Sequence, residues 1–257
     1  MHHAYLDHYA DGDSPVHRLD PRAKLVAALA FTVAVVSAGR YAAGGLLPFV
    51  IFPFGMIVFG GVPGRFVLGR LAWGAPFVLM MALLNPLYDA TPVAVRFGGG
   101  EFVLRRGWIS GAGILLKYIL AGAAVMAVVS TTKFGDLLKG LRSLGLPRPF
   151  ILQLAFVYRY IFVLADEAMR MRRAARGRGY PGRAVRGRLR MWGGVTASLL
   201  LRTIERGQRI HLAMAARGFD GEVRVLAPSA FGWRDAVFTA GALGFVILVR
   251  FSLAGIA

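Results

Sequence analysis

Five apolar runs separated by short breaks, residues 25–38, 41–62, 71–88, 108–130 and 236–257, set the frame for this chain. A helix needs roughly 20 mostly apolar residues to cross the hydrocarbon core of a bilayer, and each run approaches or reaches that length. The first is bounded by Lys24 and Arg40, the second and third carry no charge, and the fourth is interrupted by Lys117. The fifth carries Arg250 near its far end, where a long side chain can snorkel to the interface. An apolar content of 56% and 33 glycines in 257 residues, with a positive mean hydropathy, exclude an ordinary soluble domain. The runs predict an all-α polytopic membrane protein with about five transmembrane helices. Residues 1–23 are polar and lack the basic-then-apolar layout of a secretory leader, so no cleaved leader is expected. The absence of cysteine excludes a disulfide framework, a thiolate metal site and a cysteine nucleophile.

The net charge of +18 takes its meaning from its location. Between Lys133 and Arg234 lie 20 of the 31 Lys/Arg and six of the 13 Asp/Glu, so this segment carries +14 of the +18. Cytoplasmic segments of membrane proteins are enriched in Lys and Arg, so the charge predicts an inner-membrane orientation with 133–232 inside rather than a nucleic-acid patch. Counting back through four spans places residues 1–24 inside and the 89–107 loop outside; an odd span count puts the C-terminus outside. The outer loop holds Arg96, Arg105 and Arg106 against that bias. The expected organisation is therefore a cytoplasmic N-terminal segment (1–24), transmembrane helices 1–4 (25–132), a cytoplasmic helical domain (133–232) and a last transmembrane helix (233–257).

The 133–232 segment divides into three helical pieces. In the first, Phe134, Leu137, Leu138, Leu141 and Leu144 fall at helical spacing with Asp136, Lys139 and Arg142 off the stripe, and Gly145-Leu146-Pro147 stops the helix. The second is apolar from Phe150 to Leu164, with Arg159 inside it, and then turns charged at Asp166, Glu167, Arg170, Arg172, Arg173 and Arg176. After a Gly/Pro/Arg-rich linker (177–188), the third runs from about Leu189 to Arg217, with Arg202, Glu205, Arg206 and Arg209 on one stripe.

Both long helices finish on the same tetrapeptide, Ala174-Ala175-Arg176-Gly177 and Ala215-Ala216-Arg217-Gly218, followed by Tyr180-Pro181-Gly182 and Phe219-Asp220-Gly221. The plain reading is capping: glycine just past a helix end and arginine in its last turn satisfy free carbonyls. Two copies in a chain with no catalytic cluster fit a paired docking device better, because a guanidinium at a helix tip offers a rigid donor fork to carboxylates and carbonyls of another protein.

With these residues in view, the chain resembles the membrane-embedded T component of energy-coupling factor (ECF) transporters, in particular the cobalt-type CbiQ family. The resemblance spans nearly the whole chain: the lead Ser14-Pro-Val-His-Arg-Leu-Asp-Pro-Arg-Ala-Lys24, the span layout, the basic segment before a final span, and the paired Ala-Arg-Gly motifs. It implies a non-catalytic scaffold and coupling subunit of an ABC importer, whose two arginine motifs end coupling helices seated in grooves of an ABC ATPase dimer. Closure of that dimer would pass to a separate substrate-binding membrane S component, cobalt-type and CbiM-like, alongside a small accessory membrane subunit. The docking residues so implied are Ala175, Arg176, Gly177, Ala216, Arg217 and Gly218. The first motif has two registers, because matching Ala-Arg-Gly selects Arg176 whereas matching Arg-Gly-aromatic-x-Gly selects Arg178. Phe134, Leu137, Leu138, Leu141 and Leu144 are the candidates for contact with the substrate subunit, against the alternative that they pack within the domain or on lipid. The cargo implied is Co2+, with nickel or a vitamin such as biotin as alternatives. ATP and Mg belong to the partner ATPase, and no cofactor or metal is assigned to this chain.

The remaining residues agree with that division of labour. No Gly-x-x-x-x-Gly-Lys-Ser/Thr loop is present, and Gly98-Gly99-Gly100 reads as a hairpin turn. His2, His3, His8 and His17, with Asp7, Asp11 and Asp13, invite a metal reading, but short His-rich termini are commonly unstructured. Lys117 and Arg159 could mark a pathway, or each could pair with a carbonyl or face a protein interface. Two other classes compete with this reading. A lipid-acting membrane enzyme would need more than His211 with Glu205. A self-sufficient secondary transporter would show repeated halves and broken helices around midplane polar residues.

Overall fold

The computed structural model describes residues 10, 12–39, 44–89, 91–97, 100–179, 185–220 and 231–254, with the side chains of 93–104 and 253–254 outside the description. Eight α-helices are formed among these residues: α1 (Pro21–Val36), α2 (Ile51–Phe59), α3 (Gly64–Tyr88), α4 (Arg106–Ser130), α5 (Phe134–Ser143), α6 (Arg148–Gly177), α7 (Val185–Ala216) and α8 (Trp233–Ala254). One antiparallel hairpin joins α3 to α4, with β1 (Pro92–Phe97) paired to β2 (Gly100–Arg105). Phe97 pairs with Gly100; Gly98 and Gly99, where the sequence predicts a turn, lie outside the described residues. The fold is all-α and polytopic, with this hairpin as an appendage.

The chain forms two compact units. One contains Tyr5–Leu144 and Ser229–Ala257, the other Met1–Ala4 and Gly145–Pro228. The division after Leu144 assigns α5 to the same unit as α1–α4 and α8.

Not every apolar run becomes one long helix. α3, α4 and α8 are long and apolar enough to cross a membrane, and α6 qualifies as well, by its apolar first half. The run at 41–62 is instead a 3-10 segment (Gly44–Val50) followed by the nine-residue α2. Pro48 and Pro53 are the cause: each lacks an N–H and crowds the preceding turn, so a continuous helical ladder cannot form. α1 has 16 residues, which spans about 24 Å, short of a hydrocarbon core about 30 Å thick.

Two cations from other helices meet the last carbonyls of α1. Lys117 Nζ of α4 donates to the carbonyls of Ala38 at 2.6 Å and Val36 at 3.3 Å, and Arg250 of α8 donates to Ser37 O at 3.1 Å. The last carbonyls of a helix lack an intrahelical partner, so these two cations complete the end of α1. Lys117 thus pairs with carbonyls, one of the two alternatives the sequence left open. Lys117→Met should lower the stability of the solubilised chain by about 2 kcal/mol, read as a drop in its thermal unfolding midpoint; an unchanged midpoint would remove this role.

The core of the larger unit is aromatic and aliphatic: Phe31, Val35, Leu46, Phe49, Leu120 and Ala124 are buried together with Val246 and Val249 of α8. Phe31 stacks on Phe52 at 4.8 Å and meets Phe49 edge-on at 5.6 Å. α3 and α4 approach closely because glycine lines their contact: a Cβ at Gly111 would lie 2.6 Å from Ala82 O, and one at Gly107 would overlap Pro86. Small residues allow helix backbones this proximity in a membrane protein.

The lead into α1 has a structural job as well. Asp20 caps α1, accepting from Arg22 N at 2.8 Å, while its own N–H donates to Asp235 Oδ1 of α8 at 2.7 Å. Lys24, fully buried, donates to Thr131 O at 2.9 Å and Thr132 Oγ1 at 3.3 Å where α4 ends. Lead, α4 end and α8 start are tied at one point.

Candidate functional site

α6 and α7 form an antiparallel pair. Residues 152–164 of α6 and 203–214 of α7 line one cleft of about 710 Å³, so the chain directions oppose. Leu152, Phe156, Ile161, Ile210 and Met214 make it largely apolar, with Arg206 and His211 at its polar side. Past the apolar half of α6, Glu167 holds the pair together. Its carboxylate accepts from Arg170 at 2.6 Å on its own helix and from Arg202 of α7 at 2.7 Å. The hydrogen bond from Arg170, reinforced by Arg202, holds this carboxyl below the usual carboxylate range. The pairing with Arg170 follows from helical spacing; the link to Arg202 is long-range and carries no local signal. Glu167→Gln should broaden the distance distribution between spin labels on α6 and α7, and an unchanged distribution would show that packing alone sets the pair.

The two helix ends are capped at different points relative to the repeated tetrapeptide. α7 ends at Ala216 with Arg217 at the cap and Gly218 in the left-handed region at φ +72°. Gly218 N donates to Ala215 O and Phe219 N to Met214 O, both at 3.0 Å, which is the Schellman arrangement. Phe219 and Met214 both line the apolar cleft, the hydrophobic contact that accompanies this motif. α6 continues through Gly177, caps at Arg178, and turns at Gly179 with φ +82°. Gly179 N donates to Arg176 O at 3.0 Å, the counterpart of Gly218 to Ala215. The identical tetrapeptides are therefore not structurally equivalent: Arg178-Gly179 superimposes on Arg217-Gly218 in capping role, whereas Arg176 sits inside the last helical turn.

Arg176, Gly177, Arg178, Ala216, Arg217 and Gly218 are all exposed, and Ala175 is half-buried. Because the pair is antiparallel, the two tips lie at its opposite ends, separated along the helix axes by up to about 40 Å. The apolar sides of both helices are also open: Phe150 is 62% exposed, Ile161 53%, Leu201 64% and Leu212 66%. Such an area needs lipid or another protein to cover it.

The five residues of the α5 stripe are distributed differently. Leu138 is buried, Phe134, Leu137 and Leu141 are half-buried, and Leu144 is exposed. α5 packs against α1, where Gly140 lies so close to Pro21 and Leu25 that a Cβ would come within 2.9 Å of Leu25 Cδ1. Within the stripe, Leu138 seats α5 in its own unit, and the other four residues keep exposed area. Arg159 is exposed and has no side-chain partner among the described residues.

Among the described residues no group of three or more His, Asp or Glu side chains could hold a metal ion. His17 hydrogen-bonds Ser14 Oγ through Nδ1 at 2.7 Å. His2, His3, His8, Asp7 and Asp11, and the Tyr180-Pro181-Gly182 turn, lie outside the described residues.

Comparison with known proteins agrees with this architecture. Over 168 residues the chain is 33% identical to the Cobalt transport protein CbiQ of Rhodobacter capsulatus, a match covering 65% of each protein. It is 28% identical over 260 residues to the Energy-coupling factor transporter transmembrane protein EcfT of Heliobacterium modesticaldum, covering 95% of each. The protein of the same name from Bacillus subtilis is 27% identical over 226 residues, covering 83% of each. The profile of the family described as Cobalt transport protein, CbiQ, matches residues 12–226, and the chain accordingly belongs to this family of membrane transport components.

Proposed function

We propose that the chain is the scaffold and coupling subunit of an ECF-type importer in the inner membrane, with α6 and α7 on the cytoplasmic side. Arg178 and Arg217 at their tips each engage one subunit of an ATP-binding-cassette ATPase pair. The observation that carries this reading is the shared cap register: two exposed Arg-Gly tips, each with its glycine in the left-handed region, at opposite ends of one helix pair. A dimeric partner offers two equivalent grooves, and a device with two equivalent, well-separated ends suits it. Within this reading Arg178, rather than Arg176, is the first docking arginine.

ATP hydrolysis belongs to the partner. Its closure would draw on the tips, and the Glu167–Arg202 link would keep α6 and α7 moving as one body. The exposed apolar sides of the pair, more than the α5 stripe, are then the surface that passes motion to a separate substrate-binding membrane subunit. Co2+ is the cargo favoured by the family, and nickel or a vitamin remain the competing cargoes, since recognition would lie on that other subunit.

Reconstitution tests the reading. Vesicles containing this chain, the ATPase pair and the substrate subunit should accumulate cobalt with ATP, and omission of either partner should abolish uptake. Uptake by the chain alone would make it a self-sufficient transporter and overturn the proposal; ATP-driven uptake of nickel or biotin in place of cobalt would change the cargo only.

A further inference from the structure

A second cleft lies wholly within the larger helical unit, apart from the helix pair that carries the docking tips. It occupies about 890 Å³ between the lead into α1, α2 and the start of α8. Its floor is apolar, formed by Val16, Phe52, Met56 and Phe238. Two guanidinium groups, Arg18 from the lead and Arg234 from the first turn of α8, line it, and both are exposed. Neither has an ion-pair partner among the described residues; Arg234 rests over the ring of Trp233 at 5.8 Å.

The two carboxylates of the described lining are placed differently from its arginines. Asp235 is buried, with Oδ1 accepting from Asp20 N and Oδ2 from Gly232 N, so its carboxylate is committed to the α8 start. Asp13 is the other carboxylate in the lining and is exposed at the rim. Among the exposed charges of the lining, the two guanidiniums against Asp13 leave one positive charge in excess, while the buried Asp235 makes the described lining as a whole formally neutral. Trp233 is 73% exposed and Phe59 67% exposed at the same place, the kind of aromatic side chain that settles at the boundary between hydrocarbon and headgroups.

We infer that this cleft is a binding site for a singly anionic glycerophospholipid, its phosphodiester held between Arg18 and Arg234 and part of an acyl chain lying over Phe52 and Phe238. A basic pocket between helix ends at the membrane boundary is suited to an anionic headgroup, and a planar guanidinium pair suits a phosphate better than lysine would. The assignment to the cytoplasmic leaflet rests on the orientation proposed above, but the binding itself does not. It requires neither the ATPase nor the substrate subunit, so it can fail or hold independently of the coupling role.

The test is lipid retention by the purified full chain in detergent, by native mass spectrometry, with phosphatidylglycerol and phosphatidylcholine supplied in equal amounts. Retention of phosphatidylglycerol at least about tenfold over phosphatidylcholine is expected. Arg18→Gln with Arg234→Gln should erase that preference. Gly55→Leu should reduce retention while leaving both arginines in place, because Gly55 lines the cleft and a Cβ there meets nothing within 4 Å. An unchanged thermal unfolding midpoint of the Gly55→Leu chain keeps the test valid if the double variant folds poorly. Equal retention of the two lipids, unchanged preference in the variants, or displacement of the lipid by millimolar inorganic phosphate alone would overturn the assignment.

Discussion

Charge reversal at Arg178 and Arg217 is expected to detach the ATPase from the purified chain. Truncating or reversing one partner of a buried, hydrogen-bonded charge pair costs about 2–5 kcal/mol, so each single variant, Arg178→Glu or Arg217→Glu, should weaken assembly by about 30-fold or more. The double variant should retain none in a pull-down. Arg176→Glu supplies the contrast. It lies two residues from Arg178 in the last helical turn, is exposed, and does not occupy the cap, so assembly should fall by less than about threefold. Equal losses at 176 and 178 would mean that general positive charge, rather than a capped tip, makes the contact.

The second large effect is on the fold. Gly111→Leu should separate α3 from α4, because its Cβ alone would stand 2.6 Å from Ala82 O and 3.4 Å from the Ala82 carbonyl carbon, both backbone atoms that cannot swing aside. Overpacking of a close contact costs about 3 kcal/mol, which is a large share of what holds any domain folded. The solubilised variant should unfold at markedly lower temperature. Gly69→Ala, on α3 where a Cβ meets nothing within 4 Å, should be neutral or slightly stabilising through helix propensity. Similar losses at both positions would show that glycine matters here for flexibility and not for proximity.

Much of this architecture is legible in the sequence because its causes are local. Length and hydropathy mark α3, α4 and α8, and Gly145 with Pro147 stops α5 as expected, Gly145 turning at φ +97°. Three glycines between alternating segments announce the β1–β2 hairpin. The run at 41–62 reads as a span because composition dominates a window, yet Pro48 and Pro53 decide its backbone. Amphipathicity of α5 shows that one face is covered without saying by what; α1 meets α5 at Gly140, while Leu144 stays exposed.

The site is legible to the level of arginines at helix ends and no further. The repeated tetrapeptide points to Arg176, whereas the left-handed glycines at 179 and 218 align Arg178 with Arg217. The signal that separates them, Arg-Gly-aromatic in both copies, is present in the sequence but equal in weight to the rival match until the backbone is seen. Contacts between distant segments leave no such trace: Glu167 to Arg202, Lys24 to Thr131 and Lys117 to the end of α1 each join residues far apart in sequence.

The lack of native cysteine makes one measurement decisive. Cysteines placed at Gly177 and Ala216, each one residue before an arginine proposed to dock, can be cross-linked to cysteines introduced in the grooves of the ATPase pair with no competing thiol on this chain. The account predicts that each position alone captures one ATPase subunit and that the doubly substituted chain captures two, giving a covalent species of one chain with both subunits. No cross-link at either tip, or capture of only one subunit by the doubly substituted chain, would contradict it.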